Sequence, residues 1–160
     1  MKLITGFLFI ILVTTFTAYG QTIEQQYMEK LKFIVGDWVG VSAAYEEGKI
    51  KVQVPAYEKI SYQLDKSIIT IDLKSESLQL HTVIYYDAKD KTYYYNSYYQ
   101  TGAGRYKATL STDNKFIVNA SPTKRFIFHA PTPDTFQEYG EKLVDGKWIK
   151  YFEDNFTRIE

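Results

Sequence analysis

The sequence predicts an all-β fold: a closed antiparallel up-and-down barrel of about ten strands, entered through one short helix. Three observations carry that expectation. From Trp38 onward the apolar residues alternate with period two, turn signals recur every eight to twelve residues, and aromatic residues make up 17% of the 160-residue chain, with 15 Tyr and 10 Phe. Regular strand-length segments with short connections form a meander, and flat rings suit a half-buried pleated surface. A meander of this length removes its exposed edges by closing on itself.

The first twenty residues read as a unit of their own. Lys2 gives a positive start, Leu3 to Phe16 is an almost unbroken apolar run, and Ala18-Tyr19-Gly20 places small residues where a signal peptidase cuts. That run is shorter than the ~18–20 residues that span a bilayer. The expected division is therefore a signal peptide over 1–20 and one barrel domain over 21–160. The product is expected to be periplasmic or secreted, with no stable membrane insertion after cleavage. The chain has no cysteine, so neither a lipid-modified cysteine nor a disulfide is available, and hydrophobic burial must hold the fold. Removing Lys2 leaves 18 basic residues of the original 19 against 19 acidic ones, a balance of minus one with both signs interspersed. Nucleic acid is not an expected partner, because binding it demands a basic face.

From Thr22 to Val35, the residues Ile23, Tyr27, Leu31 and Ile34 recur at the spacing of one helical face. Thr22 and Gln25 resemble a capping box that starts this helix, and Gly36 ends it. The helix is short and one-sided, so it is expected to lie across one mouth or the base of the barrel. Gly36-Asp37-Trp38 then opens the sheet.

Strands are expected near 38–45, 49–54, 57–63, 67–74, 78–86, 91–99, 104–110, 114–119, 124–130, 134–143 and 147–158, with Pro55 read as a turn. Strand alternation assigns faces. Phe126 and Phe128 are expected to point inward, with His129 opposite. Leu80, Thr82, Ile84 and Tyr86 share a face, with His81 on the more polar side. Trp38, Gly40, Ser42 and Ala44 share another, and the three small residues leave room above the indole. Either a cavity lies there or Phe and Tyr from facing strands fill it. The opposite face, Val39, Val41, Ala43 and Tyr45, is more apolar than a solvated exterior. A reversed parity after Gly40, a neighbouring subunit as in a homodimer, or the helix would each explain it.

Leu31 to Gly40, with its Gly36-Asp37-Trp38 triplet, and the closing segments Asp145 to Trp148 and Glu153 to Arg158 carry a family likeness. They resemble the bacterial lipocalin-like families of uncharacterised secreted proteins within the calycin group, which also holds fatty-acid-binding proteins and haem-binding nitrobindins. The resemblance implies a barrel in which the tryptophan packs under an arginine of the last strand, here Arg158. A guanidinium over an indole face gains ~0.5–2 kcal/mol while plugging the base. It also implies a small, mainly apolar or amphipathic ligand. Val41-Ser42-Ala43-Ala44 replaces the longer glycine-rich run of nitrobindins, so haem is not implied and no cofactor is expected.

Chemistry-bearing motifs are sparse. His81 and His129 are the only histidines, both assigned outward, and with no cysteine a zinc site has no ligand set. There is no nucleophile elbow, phosphate-binding glycine loop or metalloprotease motif. Asn119-Ala-Ser121 and Asn155-Phe-Thr157 match glycosylation acceptors by chance. Glu138, Glu141 and Glu153 are candidates for paired acid–base work, although strand carboxylates usually face water. The run Tyr93-Tyr94-Tyr95-Asn96-Ser97-Tyr98-Tyr99 puts Tyr93, Tyr95 and Tyr99 on one face, and one face should line the interior. Tyrosine offers apolar area with a hydroxyl to fix a polar group, although cross-strand packing or a protein-contact surface would use the same residues.

The reading that follows is an exported, non-enzymatic barrel holding a small apolar or amphipathic ligand. Its expected binding residues are Trp38, Tyr86, Tyr93, Tyr95, Tyr99, Phe126, Phe128 and Arg158, with Trp38 and Arg158 forming the base. Two alternatives remain: an enzyme on the same barrel using buried Glu or Tyr for proton transfer, and a surface or assembly protein with a filled core. A carboxylate with a raised pKa inside a cavity would favour the enzyme, and a packed core with an exposed apolar patch the assembly protein.

Overall fold

The computed structural model describes residues 20–76 and 78–159. The expected leader lies outside the described residues, apart from Gly20. Ten antiparallel strands close into an up-and-down barrel: β1 (Gly36–Glu46), β2 (Lys49–Gln63), β3 (Ile68–Ser75), β4 (Gln79–Asp87), β5 (Thr92–Tyr99), β6 (Gly102–Leu110), β7 (Lys115–Ser121), β8 (Lys124–Thr132), β9 (Thr135–Val144) and β10 (Lys147–Arg158). Each strand pairs with its sequence neighbours, and β1 pairs with β10 to close the ring. The two-residue hairpins Glu47-Gly48 and Asp145-Gly146 carry positive φ at both positions (51° and 75°, 50° and 74°), the backbone that matches the twist of the flanking strands.

Pro55 is not a turn. The expected segments 49–54 and 57–63 form one long strand, β2, in which Pro55 pairs with Val41 of β1. Pairing with β3 begins only at Ala56, opposite Ser75, so the proline lies where the other edge of β2 has no ladder to interrupt.

The helix α1 (Ile23–Glu29) starts at the expected box, with Gln25 N–H donating to the Thr22 hydroxyl and the Gln25 side chain accepting from Thr22 N–H. It is shorter than the apolar spacing suggested, and a single 3-10 turn, Lys32–Ile34, follows it. Met28, Leu31 and Ile34 are fully buried while Ile23 is 46% exposed. Tyr62 and Tyr93, at the ends of their strands nearest the helix, donate to the carbonyls of Met28 and Tyr27. The helical segment thus stoppers one mouth of the barrel.

Parity is not reversed along β1. Ala43 faces outward yet is only 5% exposed, because its ladder partners Gln53 and Glu153 carry longer side chains on either side of it. Tyr45 donates to Glu153, which also pairs with Lys150, so β10 rather than the helix dresses this outer face. Val39 remains half exposed.

Candidate functional site

The two ends of the lumen are built differently. At the stoppered end, inward residues of successive strands form a continuous train of rings. Tyr27 stacks on Tyr86 at 3.8 Å, Tyr86 meets Tyr93 at 5.0 Å, and Tyr93 meets Phe116 at 5.5 Å. Phe116, Phe128, Phe136 and Phe156 continue the train at 5.8 to 6.1 Å, and Phe136 lies 5.3 Å from Trp38. The Arg158 guanidinium covers the Trp38 ring at 4.1 Å, and the ladder pairs the two residues directly. It also donates to the carbonyls of Val35 and Pro133, while the indole N–H donates to Ile34 O at 2.9 Å. The indole N–H and the guanidinium are therefore matched where they leave water.

The other end is hollow. A cavity of about 200 Å³ is lined by Ser42, Leu73, Leu78, Leu80, Tyr95, Tyr99, Phe126, Glu138, Phe152 and Asp154. Ser42, one of the small inward residues that follow Trp38, is in its wall, so of the two alternatives it is a cavity that lies at this end. Inward aromatics lean over two glycines: Tyr106 covers Gly104, and Phe152 with Tyr151 covers Gly140. A register shift between Lys150 and Phe152 admits the extra residue in β10, which brings both Tyr151 and Phe152 over Gly140.

The expected binding residues therefore divide. Tyr95, Tyr99 and Phe126 line the cavity. Trp38 and Phe128 are fully buried in the packed half. Tyr86 and Tyr93 belong to the ring train beside α1, and Arg158 caps Trp38. These five hold the closed end together and do not reach the cavity. In the tyrosine run, alternate faces are used as the spacing implied. Tyr94 turns outward, where it stacks with Tyr85 at 5.3 Å, sits under Arg105 and donates to Asp90.

Sequence reasoning missed the acids. Glu138, offered with Glu141 and Glu153 as strand carboxylates facing water, is 7% exposed and lines the cavity. Its neighbours are Asp154, 3% exposed in the same wall, and Glu58, 1% exposed, on the ladder opposite Trp38 and Leu73. Glu141 and Glu153 lie on the outer face instead, paired with Arg125 and Lys150. Residues three apart in a strand cannot share a face, which is why Glu138 and Glu141 separate. His81 also faces out, bonded to Asp72 at 2.8 Å.

Burial pushes the Glu58 carboxyl up to about 8, and the nearby Asp154 charge adds to the effect. Burial holds Glu138 well above the usual carboxylate range, with Glu58 and Asp154 contributing. Asp154 is raised to about 6 by burial, opposed by a hydrogen bond from Ser42. The neighbouring charges acting on these groups are other acids; no cation is among them. Among the described residues, no basic side chain lines the cavity. Glu58 Oε2, Asp154 Oδ1 and Ser97 Oγ are buried without a hydrogen-bond partner. Tyr95, whose hydroxyl accepts from Thr82 at 3.3 Å, is buried beside Glu138 and raised by both influences. Among the described residues, no three acidic or histidine side chains converge closely enough to hold a metal ion.

No family model matches the chain, and no curated protein matches it in sequence. Among solved structures it is similar to an S-type phycobiliprotein lyase, CPES, from Guillardia theta, with a TM-score of 0.56 and 12% identity over 88% of this chain and 99% of that one. A DUF3598 protein of unknown function from Nostoc punctiforme aligns over 82% of this chain and 98% of its own at 8% identity, but with a TM-score of 0.29 it carries no argument. The first likeness is one of fold.

Proposed function

We propose that this chain is an exported, non-enzymatic barrel that holds a small amphipathic molecule in the open half of its lumen. The observation that carries this reading is the cavity itself: a hollow of about 200 Å³ with aromatic and aliphatic walls and two carboxylates, at the end away from the plug. Convergent polar groups in a mainly apolar concavity are the usual form of a ligand site. The resemblance to lipocalin-like barrels and the calycin-like fold agree with carriage. The leader-like residues 1–20 support export.

A second reading has its own observation. Asp154 and Glu138 share a wall with Tyr95, and burial raises all three. Acids raised by burial in one pocket are what proton transfer needs. Native mass spectrometry of protein purified from its own host, followed by extraction, separates the readings. A bound small molecule released unchanged after prolonged incubation supports carriage. Conversion of that molecule, abolished by Glu138→Gln, supports the enzyme. An empty protein in repeated preparations removes both.

A further inference from the structure

The acid-lined floor of the cavity has no counter-charge. Glu138 and Asp154 are in its wall and Glu58 is buried beyond them, and the cavity wall has no lysine, arginine or histidine among the described residues. A buried carboxylate without a partner is driven to take up a proton or to find a cation. Asp154 Oδ1 and Glu58 Oε2 are both buried and unpartnered, so acceptor capacity is waiting for a donor that the protein does not supply. The carboxylates do not converge on a point where a metal ion would coordinate. The walls are rings and aliphatic side chains, including Tyr95, Phe126 and Phe152, whose faces also favour a positive charge.

We infer that the cavity takes a small organic amine, its ammonium group against Glu138 and Asp154 and its apolar body against Tyr95, Phe126 and Phe152. This deepens the carrier reading and rests on it. The volume sets the size: at about 30 Å³ per water, 200 Å³ holds about seven waters, so the guest is one ring with a short chain rather than a drug-sized molecule. An anion would find no cation in this wall, and a neutral guest would leave the carboxyls to be neutralised by protons.

The polar groups of the cavity wall are Glu138 from β9, Asp154 from β10, Ser42 from β1 and Tyr95 and Tyr99 from β5, and Glu58 from β2 is buried near both acids without lining the cavity. Tyr151 lies near Glu138 and is pushed up to about 12, so it stays neutral through the neutral range. Because burial favours the protonated form of these carboxyls in the empty cavity, binding an ammonium expels protons from them. Affinity therefore rises with pH between about 5 and 8.

The test is isothermal titration calorimetry of the leader-free protein with 2-phenylethylammonium, neutral 2-phenylethanol and anionic 3-phenylpropionate. The ammonium is expected to bind at least tenfold tighter than the alcohol at pH 7.5, to weaken at least tenfold by pH 5, and to release protons, seen as a heat that changes with the buffer's ionisation enthalpy. The Glu138→Gln/Asp154→Asn variant should lose at least tenfold in ammonium affinity while keeping the alcohol's. An alcohol that equals the ammonium, an affinity independent of pH, or a preference for the anion overturns the amine inference and leaves an amphipathic pocket standing. If none of the three binds, native mass spectrometry decides. A recovered amine supports the inference, a recovered non-amine overturns it alone, and an empty protein ends the carrier reading with it.

Discussion

The plugged and the hollow halves of this barrel obey the same strand alternation and end in opposite states. Around Trp38 the inward positions are filled by rings, and the indole N–H and the guanidinium are bonded, the one to Ile34 and the other to Val35 and Pro133. Four residues further along β1, at Ser42, the inward neighbour across the ladder is Asp154, buried with an unbonded oxygen. One half lowers the free energy of the fold through ring packing. The other raises it through desolvated carboxylates. A chain without disulfides tolerates the second only because the first is thorough, and the division predicts which substitutions hurt stability and which hurt binding.

The largest effect is expected at the plug. Trp38→Ala removes a fully buried indole, together with its bond to Ile34 and its contact with Arg158. Truncations of this kind cost about 3–5 kcal/mol. Urea unfolding of the leader-free protein measures it, and a loss below about 1 kcal/mol would mean that the plug is not where the stability lies.

Next in size is a pH effect from the hollow half. A carboxyl raised in the folded state binds more protons folded than unfolded, so its contribution is intact below the unfolded value and is lost as pH rises through the folded one. For Glu58 that window runs from 4.5 to about 8, and for Asp154 from 3.8 to about 6. Each group can lower stability by up to about 1.4 kcal/mol per pH unit within its window. Thermal melts between pH 5 and 8 should therefore show falling stability, and Glu58→Gln should flatten the fall and stabilise the protein at pH 8. A stability that rises across this range, unchanged by the variant, would show that the acids are not desolvated.

Between the halves stands Gly40, where an added Cβ would collide with the Asn155 carbonyl oxygen of the adjacent strand. The obstacle is backbone, so β1 and β10 must separate to admit it. Gly40→Ala is expected to cost about 1–3 kcal/mol, read from the shift of the urea midpoint. A neutral outcome would show that the seam is looser than its register implies.

The contrast between the halves was only partly written in the sequence. Period-two alternation placed Trp38 inward, because pattern is a local property, whereas the small residues after it left open whether space or rings from facing strands lie above. The Trp38–Arg158 contact came from the family resemblance, and the structure shows it. The acids were harder to see. Glu138 follows Phe136 by two positions and Asp154 precedes Phe156 by two, so each carboxylate shares the face of a ring that the structure buries. What argued against an inward placement was the ordinary cost of burying an unpaired charge, and no nearby sequence feature announces that exception. The added residue near Tyr151 depends on one register shift in β10, and the uninterrupted path through Pro55 on the late start of the β2–β3 ladder. Both are set by strands distant in sequence, which no local signal reports.

The smallest stability effect, and the sharpest separation of roles, is expected at the mouth. Tyr99 lines the cavity but is 38% exposed, and it has none of the close ring contacts that tie Tyr93 and Tyr86 to the helix. Little packing is lost when it is truncated, so Tyr99→Ala should change stability by no more than about 0.5 kcal/mol. It does remove part of the cavity wall, and 2-phenylethylammonium affinity should fall about three- to tenfold. Tyr93→Ala, the matching change six residues earlier on the same face, should do the reverse, lowering the urea midpoint while leaving affinity in the surviving folded protein within about twofold. If both tyrosines affect stability and binding alike, the lumen is one continuous site, and the boundary between plug and pocket at the level of Tyr95 does not exist.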